Sequence, residues 1–268
     1  DVGYGKTEVA MRAAFKAMED GKQVAILVPT TILAEQHYLT MTERFRPHGI
    51  EVAQLSRFVS PAEQKKVLAR LSDGSVDLVV GTHRILQSDL RFKDLGLLVI
   101  DEEHRFGVKH KEKLRRFRSH IDVLSLSATP IPRTLNMALL GIRDLSTITT
   151  APAGRQSVQT SVARFDSPLL HQGIARELDR GGQIYYVTHR IQGMARIHEE
   201  LSRLVPGARI EMAHGQMPPR DLEKLMRSFI RGEIDILLTT TIIESGIDVP
   251  NANTMFIHHA EYFGLAQL

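Results

Sequence analysis

The stretch "GSVDLVVGTHRI" (residues 74–85) has a counterpart later in the chain, "GEIDILLTTTII" (residues 232–243). The two stretches align without a gap at an offset of 158 residues. Three more matches precede them at an offset of 160 residues: residues 50–53 with 210–213, Gly21 with Gly181, and Gln23 with Gln183. Because these matches follow one order, with a single shift of two residues, they indicate that one structural unit occurs twice.

Each copy contains apolar runs of strand length between stretches of helical character. The first copy has them at residues 24–28, 76–80, 97–100 and 123–126, and the second at 184–187, 234–238 and 254–257. Runs that are apolar at every position predict strands covered on both faces. Their alternation with helices predicts an α/β fold of two domains, residues 1–150 and 157–268, each a mostly parallel sheet flanked by helices. Proline and glycine within residues 149–157 indicate the join.

One helix has clear signals at both ends. Ser60 is a natural N-cap, Pro61 suits the first helical position, and Glu63 is the capping-box partner. Gly74 stands where such a helix should end. The sequence therefore predicts a helix from Pro61 to just before Gly74.

The composition excludes several classes of protein. No run approaches the roughly 18 apolar residues of a membrane span. The chain has no cysteine, which excludes disulfides and thiolate metal sites and suits a reducing cytoplasm. Its 12 histidines show no metal-binding spacing. A net charge of +3, from 34 Lys+Arg against 31 Asp+Glu, is compatible with a nucleic-acid partner.

The chain begins within a pattern that is typical of phosphate-binding loops. Gly5, Lys6 and Thr7 occupy the last three places of G-x-x-x-x-G-K-[ST], whose first glycine would precede Asp1. We therefore expect the chain to be a piece of a longer protein. In such a loop Lys6 would contact the β- and γ-phosphates and the Thr7 hydroxyl would bind Mg²⁺. The alternative is a glycine-rich turn before an amphipathic helix.

A second motif, "LLVIDEEHRFG" (residues 97–107), ends a buried strand in carboxylates. Side chains at the carboxyl end of a central strand are placed to meet a ligand. Asp101 would bind the Mg²⁺ of a nucleotide and Glu102 would orient the attacking water. The alternative is an acidic strand end that faces solvent. Together with the loop, this motif favours hydrolysis of a nucleoside triphosphate.

Polar side chains, many of them threonine, follow other predicted strands in both copies. Hydroxyls, backbone amides and a few cations at strand ends suit contacts with nucleic-acid phosphates. The alternative is that the threonines cap helices and close turns. The DNA-contact candidates from this pattern are Thr30, Thr31, Thr82, His83, Arg84, Thr240 and Thr241.

These motifs resemble those of the superfamily-two helicases and translocases. Asp101-Glu102-Glu103-His104 is similar to the DExH box of that superfamily, and the other boxes follow in its order: Pro29-Thr30-Thr31, Gly81-Thr82-His83-Arg84, Ser127-Ala128-Thr129, His214-Gly215-Gln216-Met217 and residues 240–248. The resemblance implies two RecA-like lobes with nucleotide and DNA at the cleft between them, and the cofactors ATP and Mg²⁺. It implies nucleotide contacts by Gly3, Gly5, Lys6, Thr7, Glu8, His104, Gly246 and Asp248. It also implies catalytic or coupling roles for Lys6, Asp101, Glu102 and Thr129, and a DNA contact by His214.

Longer matches resemble one branch of the superfamily. The stretches "DEEHRFGVKHKEKL", "SATPIPRTLNMALLGIRDLS" and "FGLAQL" are similar to the bacterial transcription-repair-coupling factors, the Mfd family. The RecG helicases share "HRFG", "ATPIPRT" and "GLAQL", but they have Gln at the position of Glu103 and differ over residues 136–146. The alternatives to the first branch are thus a RecG-like remodeller of branched DNA and a non-catalytic nucleotide- or DNA-binding fragment.

The resemblance to the first branch implies partners and a cellular setting. The expected protein is a monomeric, cytoplasmic, nucleoid-associated translocase on double-stranded DNA. It would displace stalled RNA polymerase and recruit nucleotide-excision repair proteins through regions outside this chain. The family's arginine finger follows the box "GLAQL", where this sequence ends. We therefore expect this piece by itself to hydrolyse ATP poorly or not at all.

Overall fold

The computed structural model describes residues 3–103, 106, 121–127, 144–152, 158–241 and 247–264. It divides the chain into two compact units, Asp1–Ser157 and Val158–Leu268. Three of the candidate residues, His104, Thr129 and Gly246, lie outside the described residues. So do most residues of the longer branch-specific matches.

The first unit contains one parallel sheet of five strands, in the spatial order β2-β3-β1-β4-β5. The strands are β1 (Gln23–Leu27), β2 (Val52–Leu55), β3 (Leu78–Gly81), β4 (Leu95–Asp101) and β5 (Asp122–Leu126). The helices in the described part of this unit are α1 (Lys6–Glu19), α2 (Thr31–Phe45) and α3 (Pro61–Asp73), with short 3₁₀ helices at Arg46–His48 and His83–Leu86. Strands β1 and β3 are buried along their whole length, because helices cover this sheet.

The second unit contains one parallel sheet of four strands, in the order β7-β8-β6-β9. The strands are β6 (Ile184–Thr188), β7 (Ile210–Ala213), β8 (Ile236–Thr239) and β9 (Thr254–His258). The helices are α4 (Ser167–Asp179), α5 (Met194–Leu204) and α6 (Pro219–Ile230), followed by a 3₁₀ helix at Ala260–Tyr262. The order matches that of β2-β3-β1-β4, so the repeat in the sequence corresponds to a repeat in the topology.

A buried glutamine at the start of the central strand recurs in both units. Gln23 donates its side-chain amide to the carbonyls of Leu71 and Val76, at 3.0 and 2.8 Å. At the equivalent positions, Gln183 donates to the carbonyls of Phe229 and Ile234, at 2.6 and 2.7 Å. Each glutamine therefore links the central strand to the helix-to-strand turn that precedes its neighbour.

The two glutamines differ in what their side-chain oxygen accepts. Oε1 of Gln23 accepts from the backbone amides of Lys93 and Asp94, at 2.8 and 3.0 Å. Oε1 of Gln183 is buried and has no hydrogen-bond partner among the described residues. The first unit thus makes four hydrogen bonds through this side chain where the second makes two.

The predicted fold class is confirmed, and all seven apolar runs contribute to strands. The runs did not include β2 and β7, which are edge strands in which only Ala53, Leu55 and Ala213 are buried. Val76 and Ile234 precede their strands by two residues and are nevertheless buried. The apolar pattern therefore reports burial, and backbone pairing decides where each strand begins.

The predicted helix α3 is also confirmed. The Ser60 hydroxyl accepts from the backbone amide of Glu63 at 3.2 Å, and Pro61 is the first helical residue. The helix ends at Gly74, whose φ of 86° is in the left-handed region that glycine adopts at little cost. In the part of the chain that the structure describes, no helix has the length and apolar character needed to cross a membrane.

We expect Gln23→Leu to destabilise the first unit more than Gln183→Leu destabilises the second. The first substitution removes four hydrogen bonds and leaves buried backbone groups unpaired, at a cost of about 2–4 kcal/mol. The second removes two hydrogen bonds and also removes an unpaired oxygen, so we expect about half that cost. Hydrogen exchange of peptides from β1 and β3, and from β6 and β8, measures each opening free energy separately. Equal losses in the two units would contradict this account.

Candidate active site

The glycine-rich loop leads into α1 through backbone that only glycine adopts readily. Gly3 and Gly5 have φ angles of 78° and 82°, and Gly5 is the residue immediately before the helix. A Cβ at Gly5 would meet nothing within 4 Å, so the constraint there is conformational and not steric. Lys6 and Thr7 occupy the first turn of α1. The exposed amides of such a helix start favour an anion such as phosphate.

Helix α1 and the acidic motif meet the same edge of the sheet. Helix α1 leads into β1 through Gly21 and packs against β1 and β4. Its first turn therefore lies toward the carboxyl ends of these strands. Asp101 is the last residue of β4, which pairs with β1 through Leu27 and Ile100. Ligands of parallel α/β sheets bind at this edge.

Glu8, a candidate nucleotide contact, forms ion pairs at the surface of the first unit. Its Oε1 lies 2.9 Å from Nε of Arg12 and 3.5 Å from a guanidinium nitrogen of Arg44 on α2. The hydrogen bond from Arg12, with a smaller contribution from Arg44, holds the pKa of the Glu8 carboxyl below its usual value. The pair with Arg44 connects α1 to α2. A nucleotide contact by Glu8 stays a prediction.

Asp101 forms a contact that the sequence analysis did not anticipate. Its Oδ2 lies 3.2 Å from Nε2 of His37, and the two side chains are only 15% and 10% exposed. Since an ionised carboxylate can only accept, Nε2 of His37 is the donor. In the sequence, only the histidine within "AEQHY" (residues 34–38) could have indicated this contact, and a single histidine on a helix is weak evidence for a site.

The two glutamates after Asp101 are each bonded to a serine from β5 or its end. Glu102 accepts from the Ser127 hydroxyl at 3.4 Å, and its own amide donates to the carbonyl of Leu126 at 3.0 Å. Glu103 accepts from the Ser125 hydroxyl at 2.9 Å. Glu102 has a φ of 52°, a left-handed conformation that costs a non-glycine residue about 1–2 kcal/mol. The strand end is therefore held in a specific, strained conformation.

The residues at this edge fit Mg²⁺ bound together with a nucleotide. Mg²⁺ prefers oxygen ligands, and in nucleotide sites it takes one or two from the protein and the rest from phosphates and water. The Thr7 hydroxyl and the Asp101 carboxylate are ligands of this kind. Among the described residues no three His, Cys, Asp or Glu side chains form a site that could bind a metal by themselves.

The DNA-contact candidates of the first unit are more buried than the sequence suggested. Thr30 is the N-cap of α2, and its hydroxyl accepts from the amide of Leu33 at 3.3 Å, so the capping alternative applies to it. Thr31 and Thr82 are buried, whereas His83 is exposed. Their hydroxyls are therefore less available to an outside ligand than the His83 side chain.

Arg84 is also occupied by partners within the first unit. Its guanidinium forms a two-bond pair with Asp89, at 2.8 and 2.6 Å, and its Nε donates to Gln64 at 3.0 Å. The hydrogen bonds from Arg84 lower the pKa of the Asp89 carboxyl. This pair fixes the turn that follows β3.

The candidates of the second unit lie at the carboxyl ends of its strands. Thr240 follows β8, and its amide donates to the carbonyl of Ala213 as the amide of Thr82 donates to that of Leu55. Thr240 is buried and Thr241 half-buried. His214 follows β7, and its Nδ1 is buried without a partner among the described residues. Asp248 is exposed; burial, and then the charge of Asp248, raise the pKa of Tyr185.

A cluster of rings that is absent from the sequence-based predictions lies at the carboxyl ends of β6 and β9. The ring centres of His189 and Tyr262 are 4.5 Å apart, and those of His258 and His259 are 4.4 Å apart. The Tyr186 hydroxyl lies 3.0 Å from Nδ1 of His258. Burial, and then the charge of His259, lower the pKa of His258. The signal in the sequence was the position of "HHAEY" directly after an apolar run.

Comparisons with curated proteins find relatives that are described as transcription-repair-coupling factors. The chain is 54% identical over all of its 268 residues to the transcription-repair-coupling factor of Bacillus subtilis, and 53% identical to that of Escherichia coli. In both cases it spans 23% of the relative's length.

Comparisons with solved structures agree on the fold. A structure of RecG bound to a three-way DNA junction matches with a TM-score of 0.83 and 41% identity, over 100% of this chain and 36% of that one. Dbp5 from S. cerevisiae, bound to RNA and ADP BeF3, matches with a TM-score of 0.61 over 94% of this chain and 67% of that one. At 16% identity the second match shows the fold alone.

Family models match both halves of the sequence. The DEAD/DEAH box helicase model matches residues 1–138, and the helicase conserved C-terminal domain model matches residues 168–267. The resemblance inferred from the motifs is thereby confirmed. The chain belongs to the DEAD/DEAH box helicase family and is a tandem RecA-like helicase module of superfamily two.

Proposed function

We propose that this chain is the ATP-hydrolysing motor of a translocase that acts on double-stranded DNA. The observation that carries the proposal is the edge of the first sheet. A loop with two left-handed glycines precedes α1 at this edge, and β4 ends there in a mostly buried aspartate and a strained glutamate. These are the parts that phosphoryl transfer to water requires: a phosphate cradle, an acidic metal ligand and a residue that orients water.

Each residue of this edge has a distinct role in the proposal. The loop amides at Gly3 and Gly5 and the Lys6 ammonium bind the phosphates. Thr7 and Asp101 bind Mg²⁺, which when present neutralises charge on the phosphates. Glu102 accepts a hydrogen bond from the attacking water and orients it. His104, Thr129, Gly246, Asp248 and Glu8 complete the nucleotide-contacting and coupling boxes by resemblance to the family.

The DNA-contacting surface follows the carboxyl ends of the strands in each unit. Thr82 and Thr240 occupy equivalent places in the two repeats, which supports a shared role. The threonine side chains are mostly buried, and the amides of Thr82 and Thr240 themselves donate to carbonyls within their units. We therefore propose that the phosphates are contacted by backbone amides of residues adjacent to Thr30, Thr31, Thr82, His214, Thr240 and Thr241. In this proposal Arg84 stabilises the turn that presents His83.

The biological task that we favour is transcription-coupled repair. The curated relatives at 53–54% identity are transcription-repair-coupling factors from bacteria, and the chain spans 23% of their length. By that similarity the full-length protein would work in the bacterial cytoplasm, displace stalled RNA polymerase and recruit excision-repair proteins. A second candidate, remodelling of branched DNA, is favoured by the match to RecG on a three-way junction.

In the full-length protein, we expect Glu102→Gln to lower DNA-stimulated ATP turnover by about 100-fold or more while nucleotide binding is retained. The amide keeps the shape of the side chain but accepts a proton or a hydrogen bond less well. Steady-state ATPase assays and equilibrium binding of a fluorescent ATP analogue measure the two quantities. Glu103→Gln is the matched control, because this proposal gives the adjacent carboxylate, which accepts from Ser125, no role in hydrolysis, and the variant should retain most of the activity.

Two outcomes would contradict the catalytic assignment. One is a Glu102→Gln variant that turns over ATP at the rate of the unsubstituted protein. The other is an equal loss in Glu102→Gln and Glu103→Gln, which would indicate that the whole strand end is disturbed.

We expect the full-length protein to release a stalled RNA polymerase from linear duplex DNA in an ATP-dependent reaction, and Lys6→Ala to abolish the release. Removing the ammonium deprives the phosphates of their main cationic partner. A gel assay of polymerase bound to labelled DNA measures the release. A different result would contradict transcription coupling: no polymerase is released, and ATP turnover is stimulated by forked DNA but not by linear DNA. In that case we would assign remodelling of branched DNA as the biological task.

A further inference from the structure

His37 contacts the carboxylate to which the proposed function assigns Mg²⁺. His37 lies on α2, whereas the glycine-rich loop precedes α1, and the His37 imidazole is 10% exposed. Its Nε2 is 3.2 Å from Oδ2 of Asp101. Among the described residues, this is the one hydrogen bond that the Asp101 carboxylate makes. The contact therefore uses one carboxylate oxygen and leaves Oδ1 for another ligand.

Helix α2 restricts where this imidazole can be. The helix begins at the Thr30 cap, directly after the central strand β1, and packs against β2 and β3. Met41, one turn beyond His37, is fully buried, and Arg44 pairs with Glu8 of α1. A side chain on a helix that is packed and paired in this way has little freedom to change its position.

A donor on one carboxylate oxygen determines how the other oxygen is presented. A carboxylate at the end of a strand can rotate about its terminal torsion, which is broad and roughly two-fold. A half-turn only exchanges two equivalent oxygens, so the effect of a fixed N–H donor is to narrow the broad range of torsion angles. In metal sites such outer hydrogen bonds orient the ligand, and their loss typically costs 10–100-fold in metal affinity or activity.

We propose that His37 is a positioning residue for the Mg²⁺·nucleotide site, which acts by holding Asp101 through the Nε2–Oδ2 hydrogen bond. The inference rests on the proposed function, since it requires that Asp101 bind the metal. His37 contacts neither the nucleotide nor the metal in this account. Its effect is to fix the Asp101 carboxylate in the orientation that directs Oδ1 toward the ligand.

A purely structural role is the alternative that the experiment must separate. In that case the hydrogen bond attaches α2 to the sheet, and its loss lowers the stability of the first unit without a specific effect on the metal. Met41→Ala is the matched control for this role. It removes buried contacts from the same face of the same helix, one turn away, and leaves the hydrogen bond to Asp101 in place.

The test measures how much Mg²⁺ the full-length protein needs to bind a fluorescent, non-hydrolysable ATP analogue. The unsubstituted protein is compared with His37→Leu, His37→Gln and Met41→Ala in Mg²⁺ titrations, with thermal unfolding recorded for each. Leucine fills the space without a donor, whereas glutamine supplies an amide donor near the position of Nε2. If His37→Leu unfolds at a lower temperature than Met41→Ala, it is replaced by His37→Met, whose flexible side chain also lacks a donor.

We expect the donor-free variant to need about 10-fold more Mg²⁺ for half-maximal binding. His37→Gln should stay within about threefold of the unsubstituted protein, and Met41→Ala should lower the unfolding temperature with no change in Mg²⁺ dependence. The inference is overturned if the donor-free variant keeps the unsubstituted dependence, or if Met41→Ala or His37→Gln shifts it equally. If the unsubstituted protein binds the analogue equally well in Mg²⁺ and in EDTA, the proposed function itself fails.

Discussion

The parallel pairing of β1 with β4 is the constraint on which the candidate site depends. It places Leu27 beside Ile100, so that the chain leaving β1 and the carboxylate ending β4 emerge at the same edge of the sheet. Helix α2 then starts at Thr30 and brings His37 to Asp101, while α1 returns toward β1 from the glycine-rich loop. The backbone topology alone therefore brings three features to the same edge of the sheet. They are the glycine-rich loop, the acidic end of β4 and the first DNA-contact candidates.

The two copies of the repeated unit have different side chains at equivalent strand ends. In the first unit Asp101 follows the pair Leu27–Ile100, and in the second His258 follows the equivalent pair Val187–Ile257. The carboxylates at one strand end are replaced by imidazoles and a tyrosine at the other. The buried glutamines Gln23 and Gln183 preserve the framework in both units, because each connects the central strand by hydrogen bonds to the end of a helix and the turn that follows it.

Sequence patterns predicted the framework better than the contacts at its edge. Fully apolar runs locate buried strands, and Ser60, Pro61 and Gly74 locate α3, because these signals depend on local geometry. The apolar runs did not predict the edge strands β2 and β7, because a strand that is buried at only some positions lacks a continuous apolar run. The contact between His37 and Asp101, separated by 64 residues, depends on tertiary packing that no local pattern reports. The burial of Thr31 and Thr82 was missed for the same reason.

The measurement that most directly tests this account is an experimental structure of the full-length protein with Mg²⁺ and a non-hydrolysable ATP analogue. The account predicts phosphates at the first turn of α1, Mg²⁺ in contact with Thr7 and Asp101, and the His37 imidazole still bonded to the other Asp101 oxygen. A water near Glu102 would face the terminal phosphate. Nucleotide bound elsewhere, or Mg²⁺ that does not contact Asp101, would contradict the central claim.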